Sequence, residues 1–280
     1  MELFFKYISK KYISMKTKLF LLLGLSIFTF SCSSDDSSGE DNGAPATSLP
    51  ITSGNYWTYD VFNHQTAQTP ESFARDSVYA ANDTVINAVT FKKMKTENIA
   101  NGFFSGTLKD NGLRIDGNKM RISGSVNFAA GLPTALAFSV SDFIILKENA
   151  SAGEELSSTN GSFTQDYNGY PLTFDYTLKS VADGAQSSLT SNGNTYSDIT
   201  KTKVVLNLKI TANYSGIAFI VMPAQDVLVS TQYYSKNIGM VYNQTNITYN
   251  LNTLPPQFQL PIPSSGSQTQ EEFLDVYQVN

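Results

Sequence analysis

Apolar and polar residues alternate with period two along most of the chain, in runs rich in β-branched and aromatic side chains, and turn residues break the runs at short intervals. Tyr56 to Phe62 reads as a first strand, with Ser72 to Tyr79 and Thr84 to Lys95 as the next two, joined near Asn82-Asp83. Phe103 to Lys109 reads as a strand leading into Asp110-Asn111-Gly112, a hairpin turn because Asn-Gly tolerates the positive φ of primed turns. Leu113 to Ile115 and Lys119 to Phe128 follow, separated by Asp116-Gly117-Asn118. Phe138 to Lys147, Tyr170 to Val181 and Thr202 to Tyr214 are the longest candidates. In the last, Val204, Leu206, Leu208 and Ile210 share one face and Lys203, Val205, Asn207, Lys209 and Thr211 the other, so one face is buried and the other largely wet. Ile217 to Met222, Val227 to Tyr234 and Met240 to Leu251 complete the set. Prolines at 255, 256, 261 and 263 then break the pattern, and Phe273 to Val279 reads as a final edge strand. Helical candidates are short pieces near Glu154-Glu155 and Glu271-Glu272. The pattern predicts a single all-β domain over 49–280, an antiparallel β-sandwich or partly closed barrel with few or no helices.

The N-terminal region breaks this pattern. Lys16 and Lys18 precede an apolar run through Phe30, followed by Ser31 and Cys32. The run is too short for a stable membrane span and right for a signal-peptide core, so residues 1–31 are expected to be a signal peptide. Met15 makes the better start, because Met15-Lys16-Thr17-Lys18 is a compact basic segment. Residues 33–43 are polar, acidic and low in complexity, so 32–48 reads as a flexible tether. Thr29-Phe30-Ser31-Cys32 resembles a lipobox, departing from Leu-Ala-Gly-Cys at two positions. That resemblance implies lipidation of Cys32, with palmitate among the acyl groups. Cys32-Ser33-Ser34-Asp35-Asp36 is similar to the start of many Bacteroidota outer-membrane lipoproteins, which implies an outer-membrane anchor and exposure at the cell surface.

Charge narrows the range of partners. The chain holds 19 basic and 24 acidic side chains; residues 1–31 hold five of the former and one of the latter, which leaves 14 against 23 and a net charge of −9 for the remainder. An acidic surface with few clustered lysines argues against nucleic acid, whose binding depends on neutralising phosphates, and against a polybasic membrane patch. Cys32 is the sole cysteine, so the domain is held by its core rather than by disulfides, and no cysteine-metal site exists.

A second resemblance covers the domain. Pro50-Ile51-Thr52-Ser53-Gly54-Asn55-Tyr56-Trp57-Thr58-Tyr59 is similar to the opening of a group of Bacteroidota secreted lipoproteins, whose later turn and Tyr-Tyr segment correspond to Asn192-Gly193-Asn194-Thr195-Tyr196 and Tyr233-Tyr234-Ser235-Lys236-Asn237-Ile238-Gly239-Met240-Val241. Ala88 departs from that group, where the first turn usually carries Gly. The resemblance implies fold class and location and brings no activity. A fainter likeness is to envelope lipid-handling proteins with a curved antiparallel sheet, although the helices lying in such sheets have no obvious counterpart in this sequence. The stretches 83–93 and 189–198 look like a duplicated hairpin, which ordinary hairpin grammar explains as well.

Candidate chemistry is sparse, and no catalytic residue, metal ligand set or cofactor is assigned. His64 is the only histidine, sits between Asn63 and Gln65, and has no Gly-x-Ser-x-Gly elbow to serve, so it reads as an exposed loop imidazole. One histidine and no further cysteine cannot build a zinc site. Asp142, Asp166, Asp175, Asp183, Glu148, Glu154 and Glu155 show no spacing that singles out a glycosidase pair. Turn chemistry accounts for Asp110-Asn111-Gly112 and Asp116-Gly117-Asn118 better than calcium does. Trp57, Tyr59, Tyr234 and Tyr242 are the candidate ligand-contact aromatics, with a core or barrel-lining role as the plainer reading. Asp76-Ser77-Val78 and Asp83-Thr84-Val85 resemble Bacteroidota O-glycosylation sites, which would place glycan on Ser77 and Thr84. The expected protein is a surface-anchored, non-enzymatic binding domain for a glycan, lipid or envelope protein, with a lipid- or glycolipid-handling half-barrel and a glycosidase-like hydrolase as alternatives.

Overall fold

The computed structural model describes residues 49–67, 69–128, 136–167, 169–214, 216–254 and 263–280. The signal segment, Cys32, the tether and Pro255, Pro256, Pro261 and Ile262 lie outside the described residues. Twelve antiparallel strands form one sheet: β1 (Tyr56–Asn63), β2 (Ser72–Ile86), β3 (Val89–Thr96), β4 (Gly112–Asp116), β5 (Lys119–Phe128), β6 (Leu136–Lys147), β7 (Glu155–Tyr167), β8 (Tyr170–Ser191), β9 (Asn194–Tyr214), β10 (Ile217–Ser235), β11 (Gly239–Asn250) and β12 (Ser265–Gln278). Their order is β6-β5-β4-β3-β2-β1-β12-β11-β10-β9-β8-β7, two meanders joined where the first strand pairs with the last. The sheet is nearly closed into a barrel, so of the two expected architectures the partly closed barrel is the one adopted.

Alternation dictates the inside. Val204, Leu206, Leu208 and Ile210 are buried on β9, as their spacing predicted, and Leu172, Phe174 and Leu178 do the same on β8. Primed turns set the registers: Asn192 and Gly193 have φ of 49° and 76° between β8 and β9. The β2–β3 hairpin turns at Asn87 and Ala88, with φ of 50° and 63°, where an alanine bears the steric cost glycine would avoid.

Several expected boundaries move. Asn82-Asp83 is no connection: β2 runs through it with a bulge between Ala80 and Asp83. Ile217–Met222 and Val227–Tyr234 fuse into β10 through irregularities on either side of Pro223. Both helical candidates are wrong, since Glu155 opens β7 and Glu271-Glu272 lie within β12. β12 is not an edge strand but the link between β1 and β11. Phe103–Lys109 is not a strand either: Phe103–Leu108 forms a helix, α1, and Asp110-Asn111-Gly112 carries the chain from that helix into β4 instead of making a hairpin. Asn111 is buried, and its amide nitrogen donates to the Thr107 and Ser125 carbonyls, which anchors this return.

The connections β2–β3, β4–β5, β8–β9 and β10–β11 are tight and share one end of the barrel with Leu49. Leu49 is buried there beside Met120, Leu146 and Gly239. The longer stretches 64–71 and 97–111 leave the opposite end, which we call the mouth.

Candidate functional site

Six residues cannot hold a helix by themselves in water. α1 persists because the barrel wall supplies acceptors for the amide groups that a helix start leaves bare. Asp76 on β2 accepts from the Asn101 backbone N–H at 3.0 and 2.9 Å and from Gly102 N–H at 2.7 Å. Gln270 Oε1 on β12 accepts from Phe103 N–H at 2.7 Å. Two residues on, Glu272 takes Phe104 N–H at 2.7 Å on Oε1, and Ser105 N–H at 3.1 Å and Ser105 Oγ at 2.9 Å on Oε2. Gly102 is required by this approach, since a Cβ there would overlap the Glu272 carboxyl group. Behind the latch, Phe104 inserts into the core, edge-on to Tyr59 at 5.7 Å and to Tyr234 at 6.1 Å.

Glu272 also starts a buried polar chain. Its Oε1 accepts from Asn243 Nδ2 at 2.9 Å, Ser230 Oγ donates to Asn243 Oδ1 at 2.7 Å, and Tyr234 Oη donates to Gln232 Oε1 at 2.6 Å. Burial pushes the Glu272 carboxyl pKa up, opposed by the N–H and O–H donors around it. Burial, then the Glu272 charge, pushes the hydroxyls of Tyr59 and Tyr234 well above the ordinary tyrosine value. Both Glu272 oxygens are occupied, so this carboxyl group secures the helix rather than facing solvent as an acid or base.

Between α1 and the far wall lies a cavity of about 290 Å³. Phe103, Phe128, Leu228 and Ile247 supply its apolar surface, and Lys109 and Asn127 its polar rim. Gly106, on the exposed side of the helix, keeps the space open. The volume is at the small end of ligand sites, and one cation among amides and apolar groups suits a small molecule with a polar head and an apolar body.

The four candidate aromatics divide between the two faces of the sheet. Trp57, Tyr59 and Tyr234 point inward and are buried, the latter two brought together by Phe104. Trp57 donates its indole N–H to the Ile238 carbonyl at 2.6 Å and packs against Gly239, where a Cβ would lie 2.9 Å from Nε1. Tyr242 is on the outer face, between Tyr233 and Phe273 at ring separations of 5.3 and 5.2 Å. Its hydroxyl donates to Glu271, whose other oxygen is 2.6 Å from His64 Nε2. His64 thus lies in the loop just after β1, as expected, but is half-buried and paired with Glu271, 4.5 Å from the Phe62 ring. Burial and the Glu271 carboxylate both drive the Tyr242 pKa upward. Ser77 and Thr84 both lie in β2, half-buried, and the Ser77 hydroxyl is 2.9 Å from that of Thr58. Cys32 lies outside the described residues.

Asp76, Gln270, Glu272 and the helix they hold were missed in the sequence. One signal was present: Glu272 precedes Leu274 on the inward parity of a strand, where a carboxylate demands a partner. No family model, no curated protein and no solved structure matches this chain.

Proposed function

We propose that this protein is an exported lipoprotein of the outer membrane, held by lipid on Cys32 and exposed at the cell surface, whose β domain works by non-enzymatic binding at the barrel mouth. The observation that carries the reading is the cavity beside α1, placed at the opposite end from Leu49, where the tether joins the domain. Attachment at the Leu49 end leaves the opposite end, with the mouth, clear of the point where the tether joins. The ligand class is a small amphipathic molecule whose anionic or hydroxyl-bearing head meets Lys109 and Asn127. A lipid with two long chains needs far more room than about 290 Å³, so the lipid-handling reading requires α1 to leave. For hydrolysis, a carboxyl group must be free to move a proton, and Glu272 is fully engaged by its donors.

Native mass spectrometry of the full chain from its own membranes tests the reading. A retained small molecule that disappears in Gly106→Leu, a variant that fills the cavity and favours the helix, is the expected result. A mass equal to peptide plus lipid, identical in both proteins, would overturn binding at the mouth. The same spectrum reads any glycan on Ser77 or Thr84. Cys32→Ser is expected to move the protein from the membrane to the soluble fraction, and retention in the membrane would remove the anchor from the proposal.

A further inference from the structure

β7 ends the sheet: β8 pairs along its length, and no described strand flanks its other side. β6, the other end of the strand order, approaches β7 but shares no ladder pairing with it among the described residues. Ser157 and Ser180 stand on the inward-facing positions of β7 and β8, and their hydroxyls bond the Ile144 N–H (2.9 Å) and carbonyl respectively. Phe138 of β6 packs on Tyr176 of the inner face at 4.6 Å, and Phe163 of β7 stacks on Phe174 at 5.1 Å. β6 thus passes beneath β7 and β8, and β7 overhangs it. A cleft of about 490 Å³ lies between β6 and β7, with hydroxyls from Ser139 and Ser141 of β6 and from Ser157, Ser158 and Thr159 of β7 in its lining.

The hairpin register closes on the Tyr167–Tyr170 pair. Odd-numbered residues of β7 therefore share ladder bonds with β8, and Ser158, Asn160, Ser162 and Thr164 turn N–H and C=O toward the free side. Exposed edges are ordinarily blunted by lysine, proline or a central bulge. β7 carries none of these: its charges are Glu155 and Asp166 near the ends, and its one irregularity is between Glu155 and Ser157.

We propose that this edge pairs with β7 of a second copy, antiparallel about a two-fold axis at Gly161. That register sets Asn160 opposite Ser162 and Ser158 opposite Thr164, which matches the four outward-directed peptide positions to one another. Glu155 then faces Tyr167 and Asp166 faces Leu156, so no like charges oppose. Gly161, on the axis, has no side chain, and a Cβ there would press on the protein's own Tyr176 hydroxyl at 2.8 Å.

The test uses the full chain in mild detergent at micromolar concentration, by native mass spectrometry and sedimentation velocity. A dimer is expected, lost in Asn160→Lys with the melting temperature unchanged. The pair Asn160→Cys with Ser162→Cys should give a covalent dimer on mild oxidation. Monomeric wild-type protein, or a dimer that survives Asn160→Lys, overturns the proposal. Neither outcome affects ligand retention at the mouth.

Discussion

At the scale of single residues, two backbone positions and one carboxyl group set much of the local energetics. Ala88 sits at φ 63°, so Ala88→Gly is expected to stabilise the protein by about 1 kcal/mol, the order of the left-handed penalty for a residue with a Cβ; urea denaturation measures it. Gly102→Ala acts in the opposite sense. The added methyl displaces the Glu272 carboxyl group and leaves buried N–H groups bare, a loss of about 2–4 kcal/mol. For Glu272 the sign follows from a folded pKa raised above the unfolded one. The folded state holds the proton more tightly, so the group's contribution is fully present below the ordinary carboxyl value and is lost as pH rises through the raised value. The stability of wild type relative to Glu272→Gln should therefore fall as pH climbs across that window. A pH-independent difference would place the carboxyl group outside the linkage. These residues were hard to find in the sequence because their meaning is a contact: nothing near Gly102 announces a carboxylate arriving from residue 272.

Among the elements, the strands were the legible part and α1 the illegible one. The turn at Asn192-Gly193 and the split faces of 203–211 could be read because each needs only its neighbours. Phe103–Lys109 offers two aromatics and a leucine at spacings that suit a strand as well as a helix, and its conformation is decided by acceptors on β2 and β12. Bulges explain the boundary errors, since an extra residue in β2 or β10 looks like a turn while the ladder runs on through it. Phe104→Ala tests how far α1 depends on its anchor. Loss of a fully buried ring is expected to cost about 3–5 kcal/mol, with protease cleavage appearing between residues 97 and 111. Stability within 1 kcal/mol of wild type would show that the latch alone holds the helix.

For the whole molecule, the decisive arrangement is that β1 and β12 are neighbours. Removing residues 265–280 takes away the strand between β1 and β11 together with Gln270 and Glu272, so loss of the cooperative unfolding transition is expected by circular dichroism. The alternation in the sequence announced a closed or stacked sheet but could not say which strands met, because strand pairing over such distances leaves no local trace. Tyr56 pairs with Gln278, so most of the chain must exist before the first strand gains its second neighbour. A polypeptide that emerges N-terminus first can form hairpins as it appears, but it cannot complete this barrel until its last residues are free. Hairpins such as β2–β3 and β8–β9 can therefore precede closure, while the seam between β1 and β11 waits for β12.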